Sequence, residues 1–368
     1  MFFSNTRNIA VSFSFLLAAS ISVLSQTATP TPKIAEDDQV VKVNSRLIIV
    51  PVSVTDPNGQ PILGLKADNF RISEEGKQQT IDQVGDAEKV PLEIALLIDV
   101  SGSVNPLFEF EKSAAGQFLK SVMKPEDHAT IFLVGDKPTV LAGSQNATDA
   151  AQTLQTVMPA GKFTAFYDTV TAATAYLRKN APERSRRVVV ALTDGEDNWS
   201  SMTQQAEQDT YRNVDVSTLT QDKRNQLAAQ SDVAHKKAQA KVLKDLQNAD
   251  TVFYSVNPAG NSYRLNKISV RAQDGMSRFA VDTGGTSFLP AFSQTDTKDS
   301  IMNTANARKN AELLETIFRQ LANELRAQYL VQYYSESEFP ANKYVKLDVV
   351  VNRPSTRIRA RLGYYVKE

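Results

Sequence analysis

Three short segments of this sequence carry oxygen donors of a kind that can hold a hard cation. They are Asp99-Val100-Ser101-Gly102-Ser103, then Thr164 at the end of Gly161-Lys162-Phe163-Thr164, then Thr193-Asp194-Gly195. Together they offer carboxylates and hydroxyls but no imidazole and no thiolate. Mg²⁺ and Mn²⁺ take about six hard oxygens in a near-octahedral array. The chemistry open to such a set is therefore capture of one divalent ion. Only two histidines, His128 and His235, occur in the chain, and there is no cysteine. Thiol nucleophiles, disulfides and the usual zinc sites are excluded on that ground.

The elements that must position these donors are legible in the hydrophobic pattern. Residues 91–327 alternate apolar runs with stretches of helical periodicity, which implies an α/β fold with a doubly wound, mainly parallel sheet. Residues 92–98 and 187–193 read as buried strands, and 108–122, 149–156 and 166–177 as helices. Asp99 and Asp194 each follow a strand directly, while Thr164 precedes a helix. In open α/β sheets the binding crevice lies beyond the carboxyl ends of the strands. Residues 41–90 and 328–368 read as strands: 47–54, 70–72 and 79–84 before the α/β region, and 329–334, 344–351 and 356–365 after it. Pro51 suggests an edge position or a bulge. Each group is too small to enclose its own core. The expectation is one small β-sandwich formed by both groups, with the α/β domain inserted between them. The alternative is two separate decorations of that domain.

Asp99-x-Ser101-x-Ser103, then Thr164 before a helix, then Thr193-Asp194-Gly195, resembles the metal-ion-dependent adhesion site of von Willebrand factor A (VWA) and integrin I domains. The resemblance spans about residues 91–327 and implies the VWA, Rossmann-like fold. It implies Asp99, Ser101, Ser103, Thr164 and Asp194 as ligands of one Mg²⁺ or Mn²⁺ ion. It also implies a partner protein whose Asp or Glu carboxylate completes the coordination. More loosely, the mature chain resembles secreted VWA-related proteins of acidobacterial type. Lys162-Phe163-Thr164 departs from the family's Gly-Gly-Thr, although the threonine is kept. The charge logic agrees with the family's use of the site. Two carboxylates roughly cancel a divalent charge, so the ion stays electrophilic toward one further anionic oxygen. Gly102 and Gly195 allow tight turns beside it.

Long connections follow the later strands at residues 196–224, 257–275 and 290–310. They are expected to frame a partner groove, or else to be solvated insertions. A Lys/Ala/Gln-rich helix is expected at 225–248 and an amphipathic one at 311–326. Lys162, Phe163, Glu196, Asn198 and Trp199 are candidate partner contacts, Trp199 being the only tryptophan. His128 reads as structural and His235 as exposed on its charged helix.

Lys plus Arg and Asp plus Glu both total 41, with no basic stripe, which argues against nucleic acid. Residues 1–25 read as a signal peptide, with Arg7 before a short apolar run, and 26–40 as a flexible leader. An uncleaved anchor is the alternative, and with no cysteine a lipoprotein anchor is excluded. The expected location is periplasmic or secreted. The expected function is an exported, non-enzymatic interaction or adhesion module. A structural envelope protein with a stabilising or vestigial ion site is one alternative. A metal-dependent hydrolase or phosphatase is another, but Ser101 stands where an aspartyl-phosphate mechanism wants a second acid.

Overall fold

The computed structural model describes residues 45–101, 106–161, 163–212, 214, 219–258, 266–295 and 298–367. The expected signal peptide and leader, and the candidates Ser103 and Lys162, lie outside the described residues.

A six-stranded sheet forms the centre. Its strands are β5 (Leu92–Asp99), β6 (His128–Val134), β7 (Thr139–Gln145), β8 (Arg186–Leu192), β9 (Thr251–Val256) and β10 (Ser287–Phe288). Their order is β10-β9-β8-β5-β6-β7, and only β7 runs antiparallel. A strand covered on both faces must be apolar at consecutive positions, and β5 is. Leu92, Ile94, Leu96 and Ile98 pack on one face with α1 (Pro106–Val122), α2 (Ala147–Gln155) and α7 (Ser300–Arg326). Ala95 and Leu97 pack on the other with α3 (Phe166–Asn180), α5 (Gln221–Asn248) and α6 (Lys267–Thr283). This is the doubly wound architecture that the alternating pattern implies.

The flanking segments build two antiparallel sheets, and each sheet draws on both ends of the sequence. One has the order β13-β1-β11-β4, with β1 (Arg46–Thr55), β4 (Ile81–Asp86), β11 (Tyr329–Ser335) and β13 (Arg357–Ala360). The other has the order β14-β12-β2-β3, with β2 (Phe70–Glu74), β3 (Lys77–Gln79), β12 (Tyr344–Val351) and β14 (Gly363–Tyr365). Val50, Val52, Ile72, Tyr333 and Val345 form their shared core. Pro51 lies one residue past the ladder with β13, which begins at Val52, so its missing N–H falls where β1 has one neighbour.

Five expectations need correction. The extension 257–275 turns helical at Lys267, the start of α6, where Asn266 Oδ1 accepts from the Ile268 and Ser269 amides. The last expected strand, 356–365, is two strands in different sheets. The corner at Arg361 is held by its bonds to Asp250 Oδ1 (2.8 Å) and the Ile49 carbonyl (2.8 Å). A side chain at Gly363 would meet the Val345 carbonyl at 2.4 Å. The extension 290–310 is half helix, because α7 starts at Ser300, where Asp299 Oδ1 accepts from the Ile301 and Met302 amides. The polar stretch after Trp199 contains α4 (Ser201–Tyr211), and α5 begins at Gln221 behind its Thr220 cap. His235 is buried, 2% exposed, because α5 lays Leu227, Ala238, Val242 and Leu246 inward. Its ring meets Tyr167 edge-on, and burial, followed by Arg271, pushes its pKa down to about 4, so it stays neutral.

Buried Arg186 ties the two cores together. It donates to the Ala87 carbonyl (3.1 Å), the Leu325 carbonyl (2.7 Å) and Gln328 Oε1 (2.7 Å). Removing a donor from buried acceptors costs about 1–3 kcal/mol for each group stranded. Arg186→Met is therefore expected to lower the unfolding free energy in urea by about 2–4 kcal/mol. A loss under about 0.5 kcal/mol would show that water satisfies these acceptors.

Candidate functional site

The sequence leaves β5 toward β6 and returns on the other side of β5 to form β8, so the topology reverses beside β5. The crevice of a doubly wound sheet opens at such a point. Asp99 ends β5 there, and Asp194 stands two residues beyond the end of neighbouring β8.

Local hydrogen bonds fold each loop onto these acids. Asp99 Oδ1 accepts from the Ser101 amide (3.0 Å) and hydroxyl (2.6 Å), which draws Ser101 back over the strand end. Asp99 Oδ2 accepts from Thr193 Oγ1 (2.5 Å), tying β5 to β8. Thr193 Oγ1 accepts in turn from the Gly195 amide (3.0 Å), and Asp194 Oδ1 from the Glu196 amide (2.9 Å). Gly195 has φ +75°, and a Cβ there would lie 2.7 Å from Met276, so this turn requires glycine.

The Thr164 loop docks on the Asp194 loop through backbone. The Thr164 amide donates to Asn198 Oδ1 (2.8 Å), and its carbonyl accepts from the Asn198 and Trp199 amides (3.1 Å each). The Phe163 ring stacks on Trp199 with centroids 3.8 Å apart, and Phe163 stays 46% exposed. Beneath them Asp197, 5% exposed, accepts at Oδ2 from the Tyr167 amide (3.0 Å) and the Ser200 hydroxyl. Its Oδ1 accepts from Thr203 Oγ1 (2.8 Å) and the Ser200 amide (3.3 Å). Glu196 Oε1 accepts from Ser269 Oγ (2.5 Å) on α6. Asp99, Ser101, Thr164 and Asp194 thus belong to one linked group of loops. The Thr164 hydroxyl and Asp194 Oδ2 bond to no described residue.

The electrostatics call for positive charge. Burial pushes the Asp99 pKa up, against its bonds from Ser101 and Thr193. Burial, then Asp99 and Glu196, pushes Asp194 up to about 6 against its Glu196 amide bond. Glu111, a residue the sequence reading missed, sits on the inner face of α1, 8% exposed. Burial, then Asp99 and Asp194, pushes it up to about 8. The signal was available, since Glu111 occupies a core position between Phe108 and Ala115. No Lys or Arg among the described residues pairs with these acids. Buried carboxylates without a cation are costly. Hard oxygen donors with excess negative charge fit a divalent ion.

Residues 94–196, from within β5 to just past Asp194, match the family model of the von Willebrand factor type A domain. That stretch of the chain is thus similar to VWA domains. None of the curated proteins matches it. Among solved structures, proximal thread matrix protein 1 from the mussel byssus is 12% identical, with a TM-score of 0.41, over 69% of this chain and 50% of that one. The chain thus spans about half the length of the mussel protein. Another structure of that protein is described with a zinc-occupied MIDAS motif. An aerotolerance-related membrane protein from Bacteroides fragilis is 14% identical, with a TM-score of 0.35, over 63% of this chain and 98% of that one. The SpRpn10 VWA domain is 14% identical, with a TM-score of 0.33, over 53% of this chain and 85% of that one.

The raised Asp194 pKa sets a pH dependence for the cation-free protein. Its folded value of about 6 lies above the ordinary 3.8, so the folded state holds the proton more tightly. Asp194 therefore destabilises the fold fully above about pH 6, and the penalty vanishes as pH falls toward the ordinary value. In EDTA, Asp194→Asn is expected to stabilise the chain by about 1–3 kcal/mol near pH 8, with no gain below pH 4. Thermal melts of both proteins at the two pH values check this. A pH-independent difference would contradict it.

Proposed function

We propose that this chain is an exported, divalent-cation-dependent protein-binding module that grips a carboxylate of its partner. The observation that supports this reading is the pair of acids Asp99 and Asp194 at the carboxyl ends of neighbouring β5 and β8, with the Ser101 and Thr193 hydroxyls on Asp99 and no Lys or Arg of the described residues paired with either acid. Asp99, Ser101, Ser103, Thr164 and Asp194 would hold one Mg²⁺ or Mn²⁺ ion. Bound there, the ion would supply an electrophilic position for an Asp or Glu oxygen of the partner.

The protein's own side chains prepare that position. Asp99 holds the Ser101 and Thr193 hydroxyls close. Asn198 spends its side-chain oxygen on the Thr164 amide, which leaves the Phe163–Trp199 stack as the apolar shelf at the rim. A bulky apolar residue beside the partner's acid would lie on that shelf. Glu196 and Lys162 would tune the charge of the rim. Export rests on the amino-terminal sequence. No helix among the described residues is long and apolar enough to cross a membrane.

Calorimetric titration of Mg²⁺ and Mn²⁺ into EDTA-stripped protein tests the reading. Saturable binding is expected, weakened roughly tenfold or more in Asp99→Asn. A Glu-bearing peptide should tighten it. Phe163→Ala should weaken the peptide but leave the cation. Absence of cation binding, or binding indifferent to Asp99→Asn, would overturn the proposal.

A further inference from the structure

The segment Thr193–Ser201 carries more buried hydrogen bonding than one ligand needs, and its centre is an acid, Asp197, that bonds Tyr167, Ser200 and Thr203 and none of the candidate ligands. Asp197 lies three residues past Asp194, and every bond it makes runs to the starts of α3 and α4. Its Oδ2 takes the Tyr167 amide, at the first turn of the helix that follows Thr164. The Ser200 hydroxyl bonds Asp197 while accepting from the Asp168 amide (3.0 Å). Ser201 returns the contact, its amide donating to Asp168 Oδ2 (2.8 Å). Each helix start is thus capped by the segment that opens the other. A capping carboxylate satisfies amides that have no partner inside the helix. Here the amides belong to one helix and the acid to the loop of another. Ala165, the residue at the start of α3, makes no side-chain cap of its own.

We infer that Asp197 is a positioning residue for the cation site, fixing the Thr164 loop against the Asp194 loop so that their oxygens converge. The inference rests on the proposed cation-binding function but addresses a residue outside its ligand set. Asp197 has an extended connection to Thr164 by two routes. One runs through Tyr167 and the start of α3. The other runs through adjacent Asn198 and Trp199, whose amides hold the Thr164 carbonyl. Replacing one carboxylate oxygen by NH₂ would set a donor against the Tyr167 amide or the Thr203 hydroxyl. The charge loss is minor beside that clash of donors. The Phe163–Trp199 stack sits above this joint, so the only tryptophan reports on it whether or not a cation is bound.

The test uses the full mature chain with Mn²⁺ alone as probe. Wild type is compared with Asp197→Asn, with Ser200→Ala as a milder disruption should the first variant fail to fold. Glu74→Gln is the control. It disturbs a buried carboxylate of the sandwich, bonded by Tyr333, Ser335 and Tyr364, and lowers stability away from the site. Asp197→Asn is expected to weaken Mn²⁺ about tenfold or more. Ser200→Ala should weaken it less, and Glu74→Gln should leave it unchanged at a similar melting temperature. In EDTA, acrylamide quenching of Trp199 should rise in Asp197→Asn and stay at the wild-type value in Glu74→Gln. Unchanged Mn²⁺ affinity in Asp197→Asn, or an affinity loss matched by Glu74→Gln, overturns the inference while leaving the cation site standing. If wild type binds no Mn²⁺, the proposed function fails, and unchanged Trp199 quenching then overturns the joint as well.

Discussion

Two carboxylates, Asp99 at the end of β5 and Asp194 two residues past the end of neighbouring parallel β8, lie at the same edge, and no Lys or Arg among the described residues pairs with either. Everything around them answers that constraint. Ser101 and Thr193 hydroxyls turn toward Asp99, and backbone amides turn toward both acids. These contacts offset part of the burial cost, yet the pKa values stay raised. Glu111 adds a third acid from α1 and enlarges the repulsion. Such an arrangement costs fold stability, a cost that the proposed ion would offset.

The loop after β8 shows how few residues hold this arrangement. Thr193 fixes Asp99, Gly195 permits the turn, and Glu196 reaches Ser269 on α6. Asp197, Asn198 and Trp199 then engage the segment around Thr164, and Ser200 and Ser201 join the starts of α3 and α4. Donors from separate loops are thereby referred to one rigid frame. The frame rests on the doubly covered sheet, which the sandwich extends through Arg186.

The sequence disclosed those parts whose physics is periodic. β5 and β8 are apolar at consecutive positions, so their burial, their parallel pairing and the place of Asp99 and Asp194 could be read directly. The sandwich was legible because neither strand group could close a core alone. What escaped has no period. α4 and the first turns of α7 have no apolar stripe and depend on caps at Asp168 and Asp299. The corner at Arg361 depends on partners more than one hundred positions away in sequence. His235 seemed exposed because charged neighbours masked the inward face of α5. Asp197 carries no signal in the sequence, since burial of an acid shows only when its donors are in place. Residues 162 and 103 carry expectations that stay with the sequence.

The most direct measurement is a crystal structure of the protein grown with Mn²⁺, with anomalous scattering used to locate the ion. The account predicts a single peak in the crevice between β5 and β8, with an oxygen of Asp99, Ser101, Thr164 or Asp194 at roughly 2.1 Å. A peak elsewhere, or an empty crevice at saturating Mn²⁺ with all four acids and hydroxyls as described, would contradict it.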